Sequence, residues 1–194
     1  MTDLPIILAS SSPYRQQLLQ RLGLPFSAVA PAIDETPRPE EAPQQLVQRL
    51  ALEKAQALAE RFPQHLIIGS DQVCVRQQQI LGKPHTHQAA TVQLQAASDQ
   101  ELYFYTGLTV LNSATQQSLS DCVSTTVKFR PLSAAQIERY LQAEQPYDCA
   151  GSFKAEGLGI SLFRYLRSDD PTALIGLPLI ALTTLLQQLG QRLP

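Results

Sequence analysis

The chain has 194 residues, 44% hydrophobic and 16% charged, and its 15 basic and 17 acidic residues leave a formal charge of −2. That balance excludes a disordered or fibrous chain, and a chain of this length can bury about 70% of its unfolded surface without disulfides or a structural metal. A single domain over 1–194 is the expectation. Near-neutral charge argues against nucleic-acid polymers and anionic membranes as partners, while leaving room for a small anionic ligand. Cys74, Cys122 and Cys149 form no CxxC pair and lie apart from His65, His85 and His87. Neither a zinc site nor a disulfide framework follows, and buried free thiols in a reducing cytosol are expected. The first residues, MTDLPIILASSS, carry no basic export segment, and no run approaches the ~20 apolar residues of a membrane span. A cytoplasmic protein is expected.

In chain order, Pro5 to Ala9 reads as a short buried strand. A helix follows, with Ser12 as N-cap, Pro13 at the first helical position, Leu18, Leu19 and Leu22 on the apolar face, and Gly23 as the stop. Residues 31–43 (PAIDETPRPEEAP), rich in proline and acid, predict an exposed loop. The spacing of Leu46, Val47, Leu50, Ala51, Ala55 and Leu58 predicts a helix over 44–61, with Lys54 at the border of its buried face. His65 to Ser70 reads as a second buried strand. Gln72–Arg76 and Gln79–Leu81 resemble a hairpin interrupted by the polar run 77–79. Thr86 caps a helix to about Ala97, and Glu101–Leu111 and Cys122–Phe129 predict an antiparallel strand pair. Ser133 and Gln136 form a capping box for a helix to Ala143, and Leu177–Leu189 reads as a last helix closed by Gly190. Together these predict an α/β or α+β fold, a mixed sheet flanked by helices.

Four segments could carry chemistry. At ASSSPYR (9–15) a strand runs into a helix N-terminus, whose free N–H groups and three small hydroxyl residues suit an anion, with Arg15 able to add a guanidinium; on this segment alone ordinary capping by Ser12 with a solvated Arg15 is the simpler reading. Asp71 follows the apolar strand at the end where ligands collect in such sheets, or closes that strand as an Asx turn. In LGKP (81–84) Gly82 and Pro84 stiffen a turn that projects Lys83, a point charge for phosphate or a solvated hairpin exit. Asp34-Glu35-Thr36 is a solvated acidic loop on its own. Jointly, Glu35 and Asp71 with Arg15, Lys54 and Lys83 supply parts for a divalent metal and a polyphosphate. Histidine is absent from these segments, so a carboxylate would have to activate water.

In this order, the pieces ILASSSPYR, DET, EKA, SDQ, GKP, YTG and GSFKAEGLG, with GLPL at 176–179, resemble the Maf family of nucleotide pyrophosphatases over nearly the whole chain. The resemblance implies a mixed twisted sheet with a deep nucleotide-binding cleft, of the inosine triphosphate pyrophosphatase-like kind. It implies hydrolysis of a nucleoside triphosphate to the monophosphate and pyrophosphate with a divalent cation, Mg²⁺ or Mn²⁺. The small-molecule partner is a nucleotide, and a homodimer is possible. SDQ at 70–72 and SFKAEG at 152–157 are similar to the 7-methyl-GTP branch, which suggests clearance of modified nucleotides. Position by position, Asp71 matches the catalytic proton acceptor, and Tyr14, Gln72 and Glu156 match positions associated with base choice. Ser10, Arg15, Lys54 and Lys83 match the phosphate set, and Glu35 joins Asp71 as a metal partner.

One departure is Tyr14, where that branch more often has Trp; an aromatic face still attracts the positively charged methylated purine. A carboxylate at Glu156 suits the two N–H donors of a guanine edge and repels the carbonyls of thymine or uracil. The alternatives are a pyrophosphatase of dTTP, UTP or another modified nucleotide, and a non-catalytic nucleotide-binding regulator of cell division.

Overall fold

A computed structural model describes residues 4–193. Among them, seven strands form one mixed sheet with helices around it, as the alternation of elements predicts. The strands are β1 (Ile6–Leu8), β2 (Phe26–Ala28), β3 (Leu66–Arg76), β4 (Gln79–Leu81), β5 (Glu101–Asn112), β6 (Gln117–Phe129) and β7 (Phe163–Ser168). The helices are α1 (Pro13–Gln20), α2 (Pro43–Gln56), α3 (His87–Ala97), α4 (Ala134–Glu144) and α5 (Leu179–Gln188). The strand order is β2-β1-β3-β5-β6-β7, with β4 paired to β3. No helix among the described residues is long and apolar enough to cross a membrane.

The chain divides into two compact units, each taking part of β3, β5 and β6. The first comprises Met1–Gln72, Thr106–Val123 and Asp170–Pro194. In it β1 lies parallel to both β2 and β3, with Leu8 opposite Ala28 and Ile68. Alternation along these strands gives each face its own core. Ile6, Leu8, Leu66 and Ile68 pack with Leu18 and Leu19 of α1 and with Leu182, Leu185 and Leu186 of α5. Ile7, Ala9 and Ile67 pack on the opposite face with Ala55 and Leu58.

Two glycines bring α2 unusually close to the sheet. A Cβ at Gly69 on β3 would lie 2.0 Å from the Ala51 carbonyl oxygen, and one at Gly107 on β5 would lie 2.2 Å from that of Val47. Any other residue at either position would collide with helix backbone and push α2 away. This near contact sets the reach of every side chain on the buried face of α2.

The second unit comprises Val73–Tyr105 and Ser124–Asp169. Phe104, Phe129, Phe153 and Phe163 form its aromatic centre, edge to face with centroids 4.9–5.5 Å apart, the arrangement that ring quadrupoles favour. Its β3–β4 hairpin pairs Cys74 with Leu81 and Arg76 with Gln79, and Gln77 and Gln78 both take positive φ in the turn between. Two such residues match the twist of a two-residue hairpin. β6 and β7 pair antiparallel, Thr125 opposite Ser168.

Several sequence expectations need correction. The segments 65–70 and 72–76 are one strand, so Asp71 sits inside β3 and closes nothing. Apolar residues on both sides of Ser70-Asp71-Gln72 continue the ladder through three polar positions because each finds a tertiary partner. α2 ends at Gln56, short of 61. The sequence does not predict β2 or β7; β2 has three residues, and β7, FRYLRS, places an arginine on each face and so carries no apolar stripe. Of the three thiols, Cys74 is buried while Cys122 and Cys149 are partly exposed. Burial pushes the Cys74 thiol pKa well up, as for an unreactive core residue.

Candidate active site

In the first unit the charged residues singled out in the sequence meet around Lys54. Its stem lies on the buried face of α2, in the helix's last turn, where the close approach at Gly69 carries it to β3. Its Nζ donates to Asp71 Oδ1 at 2.6 Å and contacts Glu35 Oε1 at 2.9 Å. The Lys54 and Asp71 side chains are only 6% and 11% exposed, whereas Glu35 is 58% exposed. Two desolvated partners thus hold each other, with a third charge reaching in from solvent. An ammonium has three N–H donors, so one remains for a further acceptor.

Glu35 is brought there by the proline-rich loop, which has no helix or strand over 31–42. Arg49 on α2 grips that loop. Its Nε and Nη2 take the two oxygens of Glu41 at 2.6 and 2.7 Å, and Nη2 also donates to the Thr36 carbonyl. The fork geometry makes this a strong pair, and it holds the Glu41 carboxyl down to about pKa 2. Asp34 faces inward on its own turn, accepting from Thr36 N–H and Oγ1.

Arg15 lies in the first turn of α1, and Ser12 caps the helix by accepting the Arg15 N–H at 3.4 Å. Capping and a built guanidinium therefore coexist, and Arg15 is half-buried and hydrogen-bonded to protein. Its Nε donates to the Gly176 carbonyl at 2.8 Å and its Nη1 to the buried Ser10 Oγ at 3.5 Å. Nη2 makes no hydrogen bond among the described residues. Burial lowers the Arg15 pKa, and the fields of Asp71 and Glu35 oppose that shift. A guanidinium keeps its charge through such a change.

Asp71 and Gln72 are neighbours on β3 and so face opposite sides of the sheet. Gln72 Nε2 meets Thr106 Oγ1 at 2.9 Å and the carbonyls of Ala173 and Leu174 at 2.7 and 3.1 Å. The turn that supplies those carbonyls, Ala173–Ile175 with Gly176, is itself anchored. Asp170 accepts from Thr172 N–H and Oγ1 and from the N–H groups of Ile180 and Ala181, capping α5 from a distance. Ser70 Oγ contacts the carbonyls of Gly107 and Gly176.

Ser70, Thr106, Asp170, Thr172 and Gly176 hold the turn and the side chains around it, and sequence reasoning does not single them out. YTG and GLPL stood among the recognised pieces, but the partners of Thr106 and Gly176 lie 34 to 161 positions away and leave no local signal.

Tyr14 is half-buried beside Arg15 on α1. Lys83 and Glu156 belong to the second unit, where both are exposed. Lys83 projects from a fixed turn: the Gly82 carbonyl accepts from Gln93 Nε2, and His85 N–H donates to the Tyr147 carbonyl. Glu156 stands on a turn held at both ends by α4, Lys154 N–H donating to Tyr140 Oη at 3.1 Å and Leu158 N–H to Glu144 Oε2 at 2.8 Å.

No group of three His, Cys, Asp or Glu among the described residues is placed to hold a metal ion. The pair Glu35 and Asp71 nonetheless fits Mg²⁺ or Mn²⁺ in its donor chemistry. Such ions take one or two carboxylates and complete their shell with water and substrate phosphate. Both carboxylates already converge on one cation, the Lys54 ammonium.

The Maf-like protein family model matches residues 5–189. Curated relatives named 7-methyl-GTP pyrophosphatase include one from Pseudomonas syringae pv. tomato, 61% identical over 97% of this chain and 98% of its own length. One from Nitrosococcus oceani is 57% identical, covering 95% and 93%. Another, from Pseudomonas aeruginosa, is 55% identical, covering 97% and 98%. With the mixed sheet and the motif residues in place on it, these matches make the chain a member of the Maf family.

Proposed function

We propose that this chain is a nucleoside triphosphate pyrophosphatase that hydrolyses 7-methyl-GTP to 7-methyl-GMP and pyrophosphate in the cytoplasm, as one domain over 1–194. The observation that carries the reading is the buried Lys54–Asp71 pair with Glu35 and Arg15 around it. Relatives that share more than half of its residues over nearly their full length bear the same substrate in their names.

In the reaction, a water oxygen forms a bond to the α-phosphorus while the bond from that phosphorus to the bridging oxygen breaks. Asp71 takes the proton, and pyrophosphate leaves with the electron pair. Lys54 orients the Asp71 carboxylate through Oδ1, which leaves Oδ2 for the water. The spare N–H of Lys54 and the Nη2 of Arg15 hold phosphate oxygens, with Ser10 fixing Arg15. Preorganised charge of this kind is often the largest contribution to such transfers. Glu35 and Asp71 would hold a divalent cation, which supplies neutralising charge to the phosphates when bound. Tyr14, Gln72 and Glu156 choose the base.

The test is a panel of canonical and methylated triphosphates with Mg²⁺ or Mn²⁺, scored for pyrophosphate against orthophosphate. Pyrophosphate with 7-methyl-GTP preferred is expected. Preference for dTTP or UTP would reassign the substrate, and binding without pyrophosphate release would favour a nucleotide-binding regulator.

A further inference from the structure

The three contacts of Gln72 fix which end of its amide meets a ligand. The carbonyls of Ala173 and Leu174 can only accept, so the atom beside them must be the amide nitrogen. Thr106 reaches the same conclusion independently. Its Oγ1 donates its single proton to the Ala173 carbonyl at 2.9 Å, so toward Gln72 the hydroxyl can only accept. Two amide protons are then shared among three acceptors, and neither is left over. The Oε1 of Gln72 accepts no hydrogen bond among the described residues, and no buried side-chain polar atom among them lacks a partner, so this oxygen is accessible.

We propose that Thr106 and the 173–174 carbonyls form a polarity lock that makes Gln72 an acceptor-only specificity group, with Thr106 as a positioning residue for base selection. The proposal rests on the functional reading above and deepens it. A free glutamine can rotate its amide and satisfy a donor or an acceptor equally well, so it discriminates little. A locked oxygen attracts an N–H of the base and meets a ring carbonyl with lone-pair repulsion. Guanine presents N–H groups at N1 and N2, whereas uracil and thymine flank their single N–H with two carbonyls. Within the first unit, Gln72 then selects for a base edge that presents N–H groups. Thr106 is completely buried, and its methyl and hydroxyl lie in a packed site, so its effect passes through Gln72 rather than through contact with substrate.

Two measurements test the lock. In the ligand-free wild-type protein, the side-chain NH₂ of Gln72 should exchange with solvent at least ~100-fold more slowly than that of exposed Gln78, since protected amides exchange only on local opening. An exchange rate equal to that of Gln78 would overturn the proposal, and this arm needs neither a variant nor a substrate. Thr106→Val, which removes the hydroxyl at nearly constant shape, should speed that exchange. It should also narrow the 7-methyl-GTP over UTP ratio of kcat/KM about tenfold, the loss of one hydrogen bond's discrimination. KM for 7-methyl-GTP should carry most of the change. Thr106→Ser should restore both readouts, which a purely structural role would not produce. An unchanged ratio in folded Thr106→Val would overturn the proposal. Wild-type protein that does not hydrolyse 7-methyl-GTP would defeat the functional reading instead, and the exchange comparison would still decide the lock.

Discussion

The two units hold their functional side chains in different ways. In the first, Arg15, Lys54, Asp71 and Gln72 are tied to one another or to backbone through distant tertiary contacts, and Lys54 and Asp71 are nearly buried. In the second, Lys83 and Glu156 stand exposed on turns whose backbone is fixed while their side chains are not. Desolvated, fixed charges are effective where charge develops in a transition state. Exposed charges on rigid turns contribute long-range attraction and selectivity, and each is worth less. The proposed chemistry rests on the fixed, desolvated residues of the first unit.

Substitutions can break that contrast, beginning with the strongest. Asp71→Asn removes the proposed proton acceptor and should lower kcat by ~10²–10⁴-fold while nucleotide binding, followed by calorimetry, persists. Lys54→Met leaves Asp71 without its cation and should lower kcat/KM by about 100-fold, with a loss of stability as expected when one partner of a buried pair is removed; denaturant unfolding alongside steady-state kinetics checks both. Gly107→Ala should cost roughly 1–3 kcal/mol by forcing α2 from the sheet, read as a lower melting temperature, and activity should fall with it because Lys54 is displaced. Glu156→Gln in the second unit should leave stability unchanged and reduce the preference for 7-methyl-GTP over UTP about tenfold. A larger effect on turnover there than at Lys54 would reverse the comparison.

The smallest effect concerns the loop that delivers Glu35. The Glu41 pKa is lowered in the folded state, to about 2 from the ordinary 4.5, chiefly by its hydrogen bonds to Arg49. The clamp is therefore complete above pH 4.5 and is lost as pH falls through about 2. Hydrogen-exchange protection across 31–42, taken relative to the intrinsic rate at each pH, should fall over that window in wild type, and Arg49→Met should show the lower protection already at neutral pH.

Much of this was legible in the sequence where the signal is local. Ser12 and Pro13 mark the start of α1, Ser133 and Gln136 box the start of α4, and Thr86 caps α3, because each cap is satisfied within three residues. The candidate site residues come from the resemblance that the motif pieces carry, and of them Glu35, Lys54 and Asp71 meet in the structure. What stayed hidden depends on long-range partners. Asp71 reads as a strand end until Lys54 supplies its counter-charge from α2, and nothing local shows that Thr106 and the 173–174 carbonyls orient the Gln72 amide. Gly69 and Gly107 give no local sign that helix backbone lies against them. β2 escaped because three residues carry too little periodicity to stand out.

The most direct test compares wild type with Asp71→Asn on 7-methyl-GTP, measuring product identity and single-turnover rate together. Wild type should release pyrophosphate and 7-methyl-GMP, and the folded variant should bind the nucleotide and release almost none. Orthophosphate from wild type, or near-normal pyrophosphate release by the variant, would contradict attack at the α-phosphorus with Asp71 as proton acceptor.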